Sequence, residues 1–436
     1  MSQAQDAAPN ISDAGAKDRL YPKIAWRIVP LLFICYIVAY IDRVNVGFAK
    51  LQMMGDLKFS ESIYGFGAGI FFLGYFLFEV PSNIIFHKVG ARVWICRVLV
   101  TWGIVSGCTA FVRTPWEFYT LRFLLGVAES GFFPGMILYL TYWFPSHRRA
   151  NRVAMLVAGV PVSGIIGGPM SGFILHHFAA SQGVAGWQWL FILEAIPAVI
   201  LGLVILWRLD DRVVDAKWLT EEEKAVVIGE IGEDAVAKTL HSVLSVFASP
   251  RVWLMGAIWF GIEMGSYAIG FWQPTIISQS GVKDVFDIGL LTMLPYTLAL
   301  ISMILVGRHS DRTRERRWHV VVPNIVAAIG FILCTQSGSS TVLAMIGLTL
   351  AMVGVVTALP MFWALPTSFL GGAAAASGIA LVNCTGNLGG FFSPTIIGFL
   401  KTHTGTLNSG LFLISGCMMA SAILIVALVP AKLVNR

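Results

Sequence analysis

Long apolar runs dominate this chain, and they are too long and too numerous for a soluble protein of this length. About 20 consecutive apolar residues let a helix cross the hydrocarbon layer of a membrane. Twelve such segments are predicted, near 24–48, 62–87, 91–112, 116–143, 150–178, 187–208, 251–279, 287–308, 318–336, 341–368, 374–402 and 408–430. Many carry internal Gly and Pro, which membrane helices tolerate. The pattern divides the chain into a polar tail (1–23), a six-helix bundle (24–208), a hydrophilic linker (209–250), a second six-helix bundle (251–430) and a short tail (431–436). The expected fold is an all-α membrane protein with twelve transmembrane helices in two related bundles.

Composition sharpens this picture by exclusion. Of 436 residues, 56% are hydrophobic and only 12% charged, against about 25% charged in a soluble domain. The net charge of +6 calls for no nucleic-acid partner, because the basic residues follow topology. With the N-terminus in the cytoplasm, the inner connections hold Lys88, Arg92, Arg148, Arg149, Arg152, Arg308, Arg312, Arg314, Arg316 and Arg317. The opposite connections hold Lys50, Lys58, Arg113, Lys283 and Lys401. By the positive-inside rule both termini are expected to be cytoplasmic. Residues 1–20 show no cleavable signal, so the first apolar segment would direct insertion. The six cysteines are scattered in apolar segments without metal-ligand spacing. No cofactor, metal or nucleophile-base cluster is expected, and a membrane enzyme is disfavoured.

Within the linker, Thr220 followed by Glu223 predicts a capping box that opens a short surface helix. The halves also echo each other. The run Asn83-Ile-Ile-Phe-His87-Lys-Val-Gly90-Ala-Arg92 matches Gly307-Arg-His-Ser-Asp311-Arg-Thr-Arg314-Glu-Arg316, and Pro169 and Gly172 match Pro394 and Gly398 at nearly the same offset. Such a register implies a duplicated unit with a site between its halves. The two basic loops resemble the G-x-x-x-D-x-x-G-x-R loop motif of the major facilitator superfamily. The first copy departs at Asn83 and His87, the second at Arg314. The resemblance implies a gating role for Arg92, Gly307, Asp311 and Arg316.

Ionisable residues at membrane depth are functional candidates. On the first segment Tyr36, Tyr40, Arg43 and Gly47 share a face, with Asp42 about 100° round the helix. On the fourth, Arg122, Gly126, Glu129 and Phe133 form a stripe. Arg122 and Glu129 are about 10 Å apart along the axis, so each needs a partner elsewhere. Either pair of charges could instead be structural, matched across helices.

The stretches DRVNVGFA, FEVPSN and RFLLGVAESGFFPG resemble the anion:cation symporter family, which includes bacterial tartrate, galactonate, phthalate and hydroxyphenylacetate permeases. The resemblance runs through all twelve segments. It implies that Arg43 binds a substrate carboxylate, that Arg122 lies near that site, and that Asp42 and Glu129 carry protons. From the second half it implies substrate contacts for Asn383 and a cavity role for Trp363, and it marks Tyr267 as the start of the gate segment YAIGFWQP. Gln273 stands where an apolar residue is commoner and is expected to tune selectivity. Asn387 shares a stripe with Asn383, and Tyr36 and Tyr40 complete the expected substrate contacts. Glu263 is a second-rank acid. Glu79, Glu194 and Arg97 read as structural, and His176 and His177 as exposed.

The function expected is proton-driven import of a tartrate-like hydroxy or sugar acid by a monomer in a bacterial cytoplasmic membrane. Its partners are the organic anion, protons and the bilayer. An aromatic-acid symporter and an anion exchanger remain open. A cation exporter is disfavoured by the paired arginines, and a sensor by the absence of a signalling domain after residue 430.

Overall fold

The computed structural model describes residues 14–178, 183–236, 249–369 and 372–435. The described chain is almost all helix, and eleven of its helical stretches are long and apolar enough to span a membrane. In chain order the spans are α1 (Arg19–Leu57), α2 (Glu61–Val89), α3 (Ala91–Phe111), α4 (Pro115–Thr141), α5 (Ser146–His177), α6 (Gly186–Arg208), α7 (Pro250–Gln279), α8 (Val285–Thr313), α9 (Trp318–Thr335), α10 (Thr341–Ser368) and α12 (Asn408–Leu428). Between the last two runs α11 (Gly372–Thr404). Its Asn383, Thr385, Asn387 and Ser393 dilute the apolar run, yet α11 packs against α2, α7 and α12 as a full member of the bundle.

Local chemistry fixes many helix starts. Ser60 Oγ accepts from the Ile63 N–H at 3.2 Å, and Asp284 Oδ1 accepts from the Phe286 N–H at 2.7 Å. Thr114 and Glu117 cap α4 reciprocally, with Pro115 in the first turn. The predicted capping box in the linker is present. Thr220 Oγ1 accepts from the Glu223 N–H at 3.2 Å, and Glu223 accepts from the Thr220 N–H at 2.9 Å, opening the helix Glu221–Val236.

That linker helix is docked on the first bundle. Glu223 pairs with Lys23 at 2.8 Å, and Tyr21 donates to Glu230 at 2.7 Å. Trp218 stacks on Trp143 with centroids 5.8 Å apart.

Three differences from the predicted segments bear on function. The first segment is longer than 24–48, since helix begins at Ala14 and, past Asn45, continues to Leu57. Asn45 keeps helical angles (φ −58°, ψ −28°), so the run stays nearly continuous. The fourth segment is broken at Ser130–Gly131, directly after Glu129. Gly131 has φ +77°, and a Cβ there would lie 2.4 Å from Ser82 Oγ, so only glycine fits. The tenth is interrupted at Trp363.

The bundles meet along α2 with α11, α5 with α8, and the end of α1 with α7. Backbones approach closely through glycines. A Cβ on Gly65 would lie 2.3 Å from the Pro394 carbonyl, and one on Gly172 would lie 2.7 Å from that of Val285. These crossings lie toward the face opposite the termini and linker. There Ser62 Oγ also donates to Thr402 Oγ1 at 2.7 Å, and His176 pairs with Asp284 at 3.3 Å. A cavity of about 10 Å³ between α1, α5, α7 and α8 has room for one water at most. That face is therefore closed.

Gly65→Val is expected to penalise this closed state by about 1–3 kcal/mol of overpacking. Oxidative crosslinking of a Ser62→Cys, Thr402→Cys pair reads the effect, and it should slow markedly when Gly65→Val is added. An unchanged rate would show that the contact does not hold the face shut.

Candidate functional site

The charged residues of α1 and α4 come together at membrane depth. Arg43 Nη2 forms an ion pair with Glu129 Oε1. The guanidinium is caged by the rings of Phe71, Tyr75 and Tyr40, at 5.4, 5.6 and 5.9 Å from their centroids. Each ring face adds cation–π attraction. Glu129 is 1% exposed and Arg43 9%, so the pair is almost fully desolvated. Removing either member of such a pair strands a buried charge. The break after Glu129 turns the chain away and leaves this carboxylate at the end of a helix.

Asp42, the neighbour of Arg43, points elsewhere. Its carboxylate accepts from Trp102 Nε1, from Ser106 Oγ at 2.5 Å and from Asn45 Nδ2 at 3.2 Å. It thereby ties α1 to α3 inside the first bundle. Arg122 is wholly buried, and its Nε–H donates to the Gly67 carbonyl at 3.4 Å. Both of its Nη groups lack a hydrogen-bond partner among the described residues. A buried guanidinium with two idle Nη groups is a ready receptor for a carboxylate. Gly126 lets α4 and α2 touch, since a Cβ there would lie 1.9 Å from the Phe71 carbonyl.

The aromatic candidates divide into two groups. Tyr36 stacks on Phe133 at 5.1 Å and lies edge-on to Tyr40 at 6.5 Å, beside Arg43. Tyr267 meets Phe72 across the halves at 4.2 Å. Trp363 sits apart inside the second bundle, tilted against Trp259 and edge-on to Phe362. Gln273 donates to the Thr292 carbonyl at 3.4 Å and is 1% exposed. Glu263 lies against Gly386 and Gly389, where a Cβ would come within 3.2 Å of its side chain.

Asn383 and Asn387 are engaged by a residue that sequence reasoning set aside as structural. Their carboxamides donate to the two oxygens of Glu79 on α2, at 3.4 and 3.1 Å. Glu79 thus links the halves beside the Arg43 cage. Its signal was the spacing of Phe71, Tyr75 and Glu79, which share a face of α2. Glu194 takes a hydrogen bond from Ser171 at 2.7 Å.

The loop candidates lie on the face that carries the linker. The Arg92 N–H donates to Asp211 Oδ1 of the linker at 2.8 Å, while His87 meets the Tyr142 hydroxyl at 2.9 Å. In the second half Asp311 pairs with Arg316 at 2.6 Å. Arg314, at the motif's second glycine position, takes a left-handed conformation with φ +55°. Gly90, at the same place in the first copy, also has a positive φ (+95°) but an extended ψ (157°), so the two loops share only the positive φ that a glycine adopts without strain. Gly307 faces Met361. Burial pushes the Glu315 carboxyl up, but hydrogen bonds from the Trp318 N–H, His319 and Asn435 hold it below the usual range.

The comparisons with known proteins agree with this architecture. The Major Facilitator Superfamily profile matches residues 32–394. The chain is 48% identical to the "Putative metabolite transport protein NicT" of Pseudomonas putida, over 97% of each chain. It is 48% identical to a "Putative tartrate transporter" of Agrobacterium vitis, over 93% of this chain and 90% of that one. A crystal structure of a D-xylose-proton symporter superposes with a TM-score of 0.76 over 93% of this chain and 98% of the other, at 15% identity, which bears on the fold alone.

Proposed function

This chain belongs to the major facilitator superfamily of membrane transporters, and on that premise we propose that it imports a small hydroxy or sugar acid by proton symport. The observation that carries the reading is the buried ion pair of Arg43 with Glu129. A substrate carboxylate can take the guanidinium only if Glu129 releases it, and a proton on Glu129 makes that release favourable. Substrate and proton then enter together, each needing the other. The tartrate transporters among the relatives support a hydroxy-acid cargo.

In this reading the protein works as a monomer in a bacterial inner membrane, with both termini cytoplasmic and access alternating between faces. Arg122 supplies a second carboxylate contact through its idle Nη groups. Substrate hydroxyls compete with Glu79 for the carboxamides of Asn383 and Asn387, while Tyr36, Tyr40 and Tyr267 wall the site. Gln273 and Trp363 shape the second bundle behind it. Asp42 is the second proton acceptor. A proton there loosens its hold on Trp102 and Ser106 and so changes how α1 packs on α3. Arg92, Gly307, Asp311 and Arg316 set the cytoplasmic loops whose contacts change as the halves rock.

An anion entering an inside-negative cell climbs about 2.3 kcal/mol per charge per 100 mV, which co-transported protons offset. Uptake of labelled tartrate, sugar acids, phthalate and hydroxyphenylacetate into proteoliposomes tests the reading. An acid-outside gradient is expected to drive accumulation of a hydroxy or sugar acid, unaffected by competing amines. Accumulation indifferent to the gradient, or inhibited by amines and not by carboxylates, would overturn it.

A further inference from the structure

A second cluster of buried charge lies at the closed face, well away from the Arg43 cage. Glu61, the first residue of α2, bridges two lysines. Its Oε2 lies 2.7 Å from Lys50 Nζ at the end of α1, and its Oε1 contacts Lys401 Nζ at the end of α11. Lys50 is 4% exposed, with its ammonium 3.7 Å from the centroid of Trp272 and 4.6 Å from that of Tyr64. Tyr64 in turn donates to the Phe271 carbonyl at 2.8 Å. Two lysine amino groups therefore share one carboxylate, so this buried cluster holds more basic than acidic side chains.

The cluster is divided between the halves. Lys50, Glu61 and Tyr64 belong to the first bundle, Lys401 and Trp272 to the second. When the halves part at this face, Lys401 leaves Glu61 and Lys50 leaves the Trp272 ring. Both ammonium groups then flank the mouth with only one carboxylate to answer them. From this mouth α2 leads inward past Gly67, whose carbonyl holds Arg122, to Phe71 and Tyr75, which cage Arg43. At 1.5 Å per residue, these positions lie about 9, 15 and 21 Å along the helix from Glu61. The cations thus form a graded path from the entrance to the centre.

From this arrangement we infer that Lys50 and Lys401 form a capture site for small carboxylates at the outer entrance, screened by Glu61 when that face closes. The inference rests on carboxylate import with the termini in the cytoplasm. It assigns Glu61 two duties, holding the closed face across the halves and withdrawing the capture charge after the substrate has passed.

The test compares labelled tartrate uptake by right-side-out and inside-out membrane vesicles at low salt. Lys401→Gln is expected to raise KM at the outer face about fivefold and to leave KM at the inner face unchanged, as a rim charge that acts on encounter would. Lys50→Gln should do the same. Because Lys50 is the more deeply buried and its variant risks misfolding, Lys401, with its side chain 10% exposed, carries the test by itself. Glu61→Gln should move the outer KM the other way or leave it alone, since it frees both lysines. If Glu61→Gln raises the outer KM as the lysine variants do, the cluster is a latch and the capture site is overturned. Equal shifts at both faces, or no shift with Lys401→Gln, also overturn it. Wild-type vesicles that take up neither tartrate nor any other acid overturn the import reading itself, a result distinct from normal uptake with unshifted variants.

Discussion

Arg43→Ala is expected to abolish carboxylate uptake, and Arg43→Lys to weaken substrate binding by about 10–100-fold, the loss of one strong charge-assisted hydrogen bond. The alanine variant removes the ion-pair partner of Glu129, which is 1% exposed. Stranding a buried charge in this way costs about 3–5 kcal/mol, so the carboxylate must take a proton and keep it. Coupling then fails along with binding. The lysine variant separates these effects. It keeps a cation for Glu129 but loses the planar fork that grips a carboxylate with two parallel N–H groups. It also loses the flat face that suits the Phe71, Tyr75 and Tyr40 cage. Equilibrium binding of labelled tartrate to the purified variants measures the difference, and undiminished binding by both would remove Arg43 from the site.

Glu129→Gln has the opposite character, because it spares binding and removes the driving force. Glutamine fills the same space and can still accept from Arg43 through its carbonyl, but it cannot exchange a proton. Each unit of pH gradient contributes about 1.4 kcal/mol per proton, or roughly tenfold accumulation. The share of that gain carried by Glu129 should disappear, leaving the inside-to-outside ratio at what the membrane potential and the proton on Asp42 supply. Exchange of internal for external substrate should persist, since it needs no net proton movement. A variant that still concentrates substrate as wild type does would show that the driving proton rides elsewhere. Asp42, held by Trp102, Ser106 and Asn45, is then the next residue to replace.

Much of this architecture was legible in the sequence, because membrane helices are written in local composition. The twelve segments and the Thr220 capping box depend on residues close in the chain, and each has a helical counterpart among the described residues. The departure at Arg314 was also visible as a misfit to the loop motif, and its positive φ shows what the motif's glycine is for. The contacts were not legible. Helical spacing placed Arg122 and Glu129 on one stripe and showed that they need other partners. It could not show that Glu129 meets Arg43 while both Nη groups of Arg122 stay idle. Asn383 and Asn387 carried no mark of Glu79, some three hundred residues earlier. Lys50 read as a loop charge because apolar sequence stops near it, yet the α1 helix runs on and buries it at 4% exposure. The break after Glu129 falls on the turn-forming dipeptide Ser130-Gly131, which a count of apolar runs passes over, and Gly131 fits against Ser82 there.

The central claim is that substrate and proton meet at one buried pair, Arg43 with Glu129. Proton uptake during tartrate binding to the purified protein in weakly buffered solution tests it most directly. Wild type should take up protons in proportion to tartrate bound, and Glu129→Gln should bind tartrate with that proton lost. Tartrate binding to wild type with no proton uptake, or uptake unchanged in Glu129→Gln, would contradict it.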